Sequence, residues 1–401
     1  MTAIPRLRSY QGPTILSYGF RPFFLAGAIY AGLGILIWLP IYFGDLQIPT
    51  MFSAIDWHVH EMLYGYLPAI ITGFLLTAIP NWTGRLPLQG GPLAVLVLIW
   101  LAGRLAIMFS AVIGPVLAAG VDSLFLVLIA AAAAREVIAG RNWQNLAPVG
   151  ILITFVAGNV IFHIEAYENA SAELGKRIGI AAAITLVTMI GGRVIPGFTR
   201  NWLARENPGR LPVPFGRFDV AALAVSVLAL VMWTALPKQP ATAALMLIAS
   251  VTHAVRLARW AGDRTVRNPL VLILHLAYTF VPLGFLLMGS SILFPQDIPV
   301  SAGIHAWTVG AIGIMTLAMM TRVSLGHTGR PLSAGPVTYV IYAAVLTAAL
   351  VRICAAFEPG RSSILLLIAG GAWVAAFMVF GVGYGPLLAR PRTKNPQPNR
   401  A

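Results

Sequence analysis

Residues 269–291 read PLVLILHLAYTFVPLGFLLMGSS and contain no Asp, Glu, Lys or Arg. A helix rises about 1.5 Å per residue, so a helix of this length covers the roughly 30 Å hydrocarbon core of a bilayer. Apolar helices buried inside soluble domains are usually shorter than this. The segment therefore predicts that the chain crosses a membrane.

The composition of the whole chain agrees with this prediction. Of its 401 residues, 58% are hydrophobic and only 10% are charged, and the mean hydropathy is +0.81. Because soluble domains carry about 25% charged residues, this composition excludes a soluble globular enzyme, a disordered protein and a nucleic-acid-binding domain. The net charge of +14 is then explained by Lys and Arg in cytoplasmic loops rather than by a nucleic-acid partner.

Twelve stretches of the chain are long and apolar enough to cross the bilayer. They are residues 20–43, 58–80, 92–112, 115–135, 146–168, 177–199, 217–236, 241–260, 269–291, 301–322, 336–357 and 363–389. The sequence therefore predicts an all-α polytopic membrane protein of about twelve transmembrane helices. Residues 20–389 form its single transmembrane domain, residues 1–19 a cytoplasmic segment and residues 390–401 a cytoplasmic tail.

The distribution of basic residues predicts the orientation of these helices. With the N-terminus in the cytoplasm, 21 of the 27 Lys and Arg residues lie at the inner ends of the segments. The exceptions are Arg104, within the third segment, and five outer residues, Lys176, Arg177, Lys238, Arg352 and Arg361. Since Lys and Arg are enriched in cytoplasmic loops, both termini are predicted to be cytoplasmic, which requires an even number of helices. The first 20 residues contain no apolar run typical of a secretory signal.

The second, sixth and tenth segments end in similar sequences. Residues 71–93 read ITGFLLTAIPNWTGRLPLQGGPL, residues 188–202 read TMIGGRVIPGFTRNW, and residues 313–337 read GIMTLAMMTRVSLGHTGRPLSAGPV. A spacing of four helices predicts three pseudo-symmetric four-helix units in a ring. The alternative is that inner loops simply accumulate Gly, Pro and Arg, because the close match recurs only at 83–88 and 328–332.

Four histidines are predicted to lie at one depth near the outer side. His58 and His60 begin the second segment, His163 precedes the end of the fifth, and His305 lies near the start of the tenth. Imidazole nitrogens are common ligands of haem iron and copper, so these histidines predict a metal site. The alternative is four interfacial histidines at the headgroup level. His58 and His60 are about 200° apart on a helix, so they serve different centres unless the helix start is unwound.

A second pair, His253 and His275, is predicted to lie near the inner side of segments eight and nine. Helices joined by a short loop are usually antiparallel neighbours, so the two imidazoles can face each other as axial ligands of a haem. Arg256 would meet the haem propionates, and Arg193, within GGRVIPG, would line a polar cavity. The alternative is a pair of core histidines bonded to Ser, Thr or backbone, with the arginines as ordinary inner-side anchors.

Glu61, Tyr64 and Glu165 are the candidate proton carriers beside the outer histidines. Glu61 and Glu165 each follow an outer histidine within two residues. Solvated carboxylates at a headgroup boundary are the alternative interpretation. The single cysteine, Cys354, excludes an intramolecular disulfide and a paired-cysteine metal site.

Four motifs of the chain resemble those of the NnrS family. They are SYGFRPFFL at 17–25, DWHVHEMLYGY at 56–66, GFLLTAIPNWTGR at 73–85 and GHTGRPL at 326–332. The resemblance implies a bacterial inner-membrane protein that contains haem and copper and is linked to nitric oxide metabolism and nitrosative-stress resistance. It also implies that His58, His60 and His327 are motif positions, although depth places His327 alone in an inner loop.

These observations support three functions. The first is a haem protein, with haem of b type and copper as a second metal, that binds or reduces nitric oxide at the outer histidines and receives electrons from an unidentified donor. Direct reduction of nitric oxide is one hypothesis within it, although segment six lacks a histidine and the six-histidine set of haem–copper oxidases is not reproduced. The alternatives are a membrane transporter and a sensor or metal-relay protein without redox turnover. Transporters place ionisable groups near the midplane, whereas the histidines here are predicted in two layers.

Overall fold

The computed structural model of the chain describes residues 10–83 and 87–393. Within these ranges every regular element is a helix and none is a strand. Twelve helices, which we number α1–α12, are long and apolar enough to cross a membrane. They are Phe20–Phe43, Ala54–Pro80, Gly91–Met108, Pro115–Ala139, Leu146–Asn169, Glu173–Glu206, Arg217–Ala235, Pro240–Ala258, Pro269–Leu293, Val300–His327, Pro336–Phe357 and Pro359–Ala389. The predicted all-α polytopic membrane fold is confirmed.

Several helices extend beyond the apolar runs that predicted them. α2 begins at Ala54, four residues before the predicted start, because the Ser53 side chain accepts a hydrogen bond from the Asp56 backbone N–H at 3.1 Å and caps the helix. α10 ends at His327. The prediction that His327 lies in a loop was therefore wrong, because hydropathy detects the apolar part of a helix and not its polar last turn.

The described residues divide into two compact units. The first unit takes Met1–Gly179, Met320–Leu332 and Phe377–Ala401, as far as these ranges are described, and the second takes Ile180–Met319 and Ser333–Ala376. The predicted arrangement as three four-helix units stays a prediction.

Helix α2 is the core of the first unit. Within the 18-residue apolar stretch of α2, 83% of the residues are buried, whereas the corresponding value for α1 is 50%. α2 packs against α1 and α4. An α-helical segment, Ala54–His60, is followed directly by the π-helical turn Glu61–Tyr66. Such turns are frequent at functional sites, and this one begins at the residue after His60.

Helix α9 is the most buried long helix that lies wholly within the second unit, with 67% of its apolar window buried. It packs against α8, which in turn packs against α7. In α10, the α-helical segment Val300–His305 is followed by a π-helical segment, Ala306–Gly313. The second and tenth helices thus share a local form in which a histidine ends an α-helical segment and a π-helical segment follows.

Parts of the predicted topology fall on residues that the structure does not describe. Only residues 10–19 and 390–393 of the two predicted terminal segments are described. Five basic residues that support the predicted orientation, Arg6, Arg8, Arg85, Lys394 and Arg400, lie outside the described residues. The orientation of the helices in the membrane stays a prediction.

Candidate functional site

Six polar side chains from four helices meet inside the first unit. We call them the His60 cluster: His60 and Glu61 of α2, Arg104 of α3, Asp122 of α4, and Asn159 and His163 of α5. The side chains of His60, Glu61 and Asp122 are at most 1% exposed, and His163 is the most exposed member at 9%. Because ionisable groups are costly at membrane depth unless they are paired, the cluster needs internal partners.

Two imidazole nitrogens converge on one carboxylate oxygen in this cluster. His60 Nε2 lies 3.2 Å and His163 Nε2 lies 3.1 Å from Asp122 Oδ2. The other ring nitrogen of His60, Nδ1, is 2.9 Å from Glu61 Oε1. One ligand atom from each of His60, His163 and Asp122 can be chosen so that all three lie within 4.8 Å of one another. This donor set is of a kind that holds transition-metal ions.

Arg104 joins the two carboxylates of the His60 cluster. Its Nη1 donates to Glu61 Oε1 at 2.6 Å, and its Nη2 donates to Asp122 Oδ1. Tyr30 of α1 donates to the second oxygen of Glu61, and Asn159 Nδ2 donates to Asp122 Oδ2 at 2.7 Å. Each carboxylate oxygen therefore has a donor, yet two carboxylates are balanced by one guanidinium.

Aromatic rings surround the two histidines of the cluster. Phe52 stacks on His60 with a centroid distance of 5.3 Å and lies 5.6 Å from the ring of His163. Phe162 meets His60 edge-on at 5.2 Å. Apolar walls lower the local dielectric constant, so they strengthen every charged interaction inside the cluster.

The other two histidines of the predicted outer group make different contacts. The ring of His58 stacks on Trp38 of α1 at 4.2 Å, as expected from the angle of about 200° that separates it from His60 around a helix. His305 belongs to the second unit, where its Nδ1 donates to the carbonyl oxygen of Ser301 at 2.7 Å. Neither residue is a member of the His60 cluster.

Tyr64 and Glu165 both contact the first turn of α6. The hydroxyl of Tyr64 donates to the carbonyl oxygen of Gly175 at 2.7 Å. The carboxylate of Glu165 accepts from the backbone N–H groups of Leu174 and Gly175 at 3.1 and 2.8 Å. The Glu165 carboxylate thus satisfies two backbone N–H groups that lack partners at a helix start.

His327 lies against the chain segment before α1. Its ring centroid is 6.2 Å from that of Tyr18 and 5.5 Å from that of Phe20. In the same region, Arg21 Nη1 donates to the carbonyl oxygens of Leu388 and Arg390 at 2.6 and 2.8 Å. The motifs at 17–25 and 326–332 therefore meet in the first unit.

A second buried polar set lies in the second unit. We call it the Arg256 cluster: Asp219 of α7, His253 and Arg256 of α8, and Tyr278 of α9. Arg256 Nε donates to Asp219 Oδ1 at 2.9 Å, and its Nη1 donates to the Tyr278 hydroxyl at 3.0 Å and to the Thr188 carbonyl oxygen at 2.8 Å. His253 Nδ1 is 2.8 Å from the same hydroxyl. All four side chains are buried.

Three nitrogen atoms at and near the Arg256 cluster are buried without a hydrogen-bond partner among the described residues. They are His253 Nε2, Arg256 Nη2 and His275 Nδ1. The other ring nitrogen of His275, Nε2, lies 2.8 Å from Thr199 Oγ1. Buried polar atoms normally have partners because leaving them unpaired is costly, so these atoms are available to contact a ligand.

The donor atoms of this region fit a haem. An axial histidine coordinates iron through one ring nitrogen while a hydrogen bond at the other nitrogen orients the ring. His253 takes this form when its Nδ1–H donates to the hydroxyl oxygen of Tyr278, because the unpaired Nε2 then carries the lone pair. Arg256 Nη2 supplies a charged donor suited to a carboxylate. Arg193, which was predicted to line a polar cavity, is exposed instead.

Sequence reasoning missed several members of both clusters. Asp122 and Asp219 lie in or beside apolar segments, and the cost of ionisable groups at membrane depth could have singled out Asp122 as it did Arg104. Asn159 and Tyr278 carry no comparable signal, because uncharged polar side chains occur in membrane helices without a special role. Their importance is visible only from their hydrogen bonds.

Comparison with known families gives one result. The family model described as NnrS protein matches residues 14–392 of the chain, a range that contains both the His60 cluster and the Arg256 cluster. No curated protein matches the chain.

Proposed function

The chain belongs to the NnrS family and so has a role linked to the nitric oxide response, and from this premise we propose that it is a haem protein of the bacterial inner membrane that binds nitric oxide. The observation that carries the proposal is the unpaired Nε2 of the buried His253, whose Nδ1 is already held by Tyr278. A transporter does not need a buried histidine with one anchored ring nitrogen and one unpaired ring nitrogen.

In this proposal the second unit holds the haem. His253 would hold the haem iron, Tyr278 would keep its imidazole in one orientation, and Arg256 Nη2 would pair with a propionate. His275, which is buried and has an unpaired Nδ1, is the candidate for a second axial ligand. When bound, a haem of b type would supply a redox-active iron atom, and a small gas could coordinate it in exchange for His275.

The proposal also assigns roles to the acidic residues of the first unit. The proposed function includes reduction of nitric oxide as one hypothesis. This reaction consumes protons and electrons, and a separate, unidentified donor supplies the electrons. Glu61 is the buried carboxyl group suited to carrying protons. We assign Glu165 and Tyr64 to fixing the start of α6, because their polar atoms bond its backbone.

An absorption spectrum of the purified full-length protein tests the haem proposal. We expect the reduced wild-type protein to show a low-spin b-type spectrum, and His253→Ala to lose that signal because the iron loses its ligand. His58→Ala is the matched control, since it removes a histidine that stacks on Trp38 in the other unit, and it should retain the signal. Size-exclusion chromatography checks that each variant is folded.

Two outcomes would contradict the haem proposal. One is a wild-type protein without haem when it is produced in haem-sufficient cells. The other is a full spectrum in both His253→Ala and His275→Ala. Either outcome would favour the transporter or the sensor and metal-relay alternatives.

We further propose that both termini are cytoplasmic, on the basis of the distribution of Lys and Arg. A topology reporter fused after Arg390 should read cytoplasmic, and one inserted near Gln47, between α1 and α2, should read periplasmic. A periplasmic signal from the C-terminal fusion would show that the orientation is reversed or that the number of crossings is odd.

A further inference from the structure

We infer that His60, His163 and Asp122 bind one divalent transition-metal ion in the first unit, with Asp122 as an anionic ligand. This site shares no residue with the proposed haem centre, which lies in the second unit. The inference therefore stands or falls independently of haem binding.

The two ring nitrogens of His60 face different oxygen atoms. Nδ1 faces Glu61 Oε1 at 2.9 Å, while Nε2 faces Asp122 Oδ2 at 3.2 Å and Asn159 Oδ1 at 3.0 Å. A neutral imidazole carries a hydrogen on only one nitrogen. If that hydrogen points to Glu61, the lone pair of Nε2 faces two oxygen atoms, and a cation between them removes the repulsion of these lone pairs.

The His60 cluster contains more negative than positive side chains. Two carboxylates, Glu61 and Asp122, share one guanidinium, Arg104, so the cluster has a net charge of −1 when both histidines are neutral. Charge that is buried without compensation is expensive. A bound cation removes this imbalance at the point where the lone pairs converge.

The distances between the proposed ligand atoms are close to those expected around a metal ion. Two ligand atoms that each lie about 2.1 Å from a tetrahedral ion are about 3.4 Å apart. The separations from Asp122 Oδ2 to His60 Nε2 and His163 Nε2 are 3.2 and 3.1 Å. The three side chains can therefore close on an ion with small adjustments of their torsion angles.

The carboxylate of Glu61 lies next to the proposed ligand His60, on the side of its other ring nitrogen. Metal-binding histidines usually donate their other ring nitrogen to a carboxylate, which fixes the ring and increases its basicity. Glu61 Oε1, 2.9 Å from His60 Nδ1, can accept a hydrogen bond in this way, and Glu61 is held in place by Arg104 and Tyr30. The cluster thus contains both ligands and an orienting carboxylate.

The donor set also defines the class of metal. Two imidazoles and one carboxylate suit Fe²⁺, Zn²⁺ and Cu²⁺, whereas Cu⁺ prefers sulfur ligands, and the cluster as described includes none. Asn159 Oδ1 is the nearest candidate for a fourth protein ligand. With three protein ligands, the ion keeps an open position for a small molecule.

Metal titration of the purified full-length protein tests this inference. After treatment with a chelator, the protein is titrated with Zn²⁺, with Cu²⁺ and, without oxygen, with Fe²⁺, while bound metal and thermal stability are measured. We expect one tightly bound equivalent in the wild type. Asp122→Asn should weaken binding at least 100-fold, because the loss of an orienting carboxylate alone costs about 10–100-fold.

Two further variants keep the test decisive. Glu61→Gln should retain the ion with an affinity about 10–100-fold lower, and His58→Ala, the control outside the cluster, should bind as the wild type does. If Asp122→Asn does not fold, His163→Ala replaces it, since His163 is the most exposed member of the cluster.

Two results would overturn the inference. They are no tight equivalent in the wild type, or equal binding by the wild type and both ligand variants. In that case a hydrogen on His60 Nε2 makes the contact with Asp122 an ordinary hydrogen bond. Loss of haem with metal binding intact would instead count only against the proposed haem function.

Discussion

Replacing Arg104 with Ala should lower the free energy of unfolding by about 3–5 kcal/mol, which is the usual cost of removing one partner from a buried ion pair. Arg104 is the only guanidinium of the His60 cluster and donates to both Glu61 and Asp122. Without it, the two buried carboxylates lose the guanidinium that they share. Denaturant unfolding of the purified protein in detergent micelles measures the loss.

Two further variants show whether buried charge is the cause. Arg135 is exposed and lies on α4, the helix that carries Asp122, so Arg135→Ala should change stability by no more than about 0.5 kcal/mol. Arg104→Met combined with Glu61→Gln and Asp122→Asn should recover most of the lost stability, since no charge then remains unpaired. An Arg104→Ala protein as stable as the Arg135→Ala protein would show that the ion-pair network does not form.

The second large effect is expected in the second unit, where Arg256→Ala should also cost about 3–5 kcal/mol. The side chain of Arg256 is 0% exposed, and its loss removes the donor to Asp219 Oδ1 and a donor to the carbonyl oxygen of Thr188. Arg259 provides a matched control three residues later on the chain. Its side chain is 26% exposed and lies 3.8 Å from the same carboxylate, so Arg259→Ala should cost less than about 1 kcal/mol.

The comparison of the two arginine variants separates burial from general positive charge. Equal losses in Arg256→Ala and Arg259→Ala would mean that the two residues act only as anchors on one side of the membrane. A large loss confined to Arg256→Ala would support the Arg256 cluster. Adding Asp219→Asn to Arg256→Ala should then restore part of the stability, because the unpaired carboxylate is removed.

The sequence alone determined the class of fold and the family. Residues 269–291 and the eleven other apolar stretches predicted twelve membrane-crossing helices, and all twelve are present. The physical reason is that each crossing of a bilayer requires about 20 apolar residues. The length of an apolar run is a local property, so it can be read directly from a short stretch of sequence. The motifs at 17–25, 56–66, 73–85 and 326–332 likewise resembled the family whose model matches the chain.

Only the tertiary structure decided which polar side chains meet. His58 and His60 are equivalent by depth, yet one stacks on Trp38 and the other lies between Glu61 and Asp122. Their difference depends on which face of α2 meets which neighbouring helix, and on the π-helical turn that begins at Glu61. Hydropathy is nearly uniform around a membrane helix, so it does not encode that face. Asn159 and Tyr278 became visible only when packing brought separate helices together, because a hydrogen bond between residues 22 or more positions apart leaves no periodic signal in the sequence.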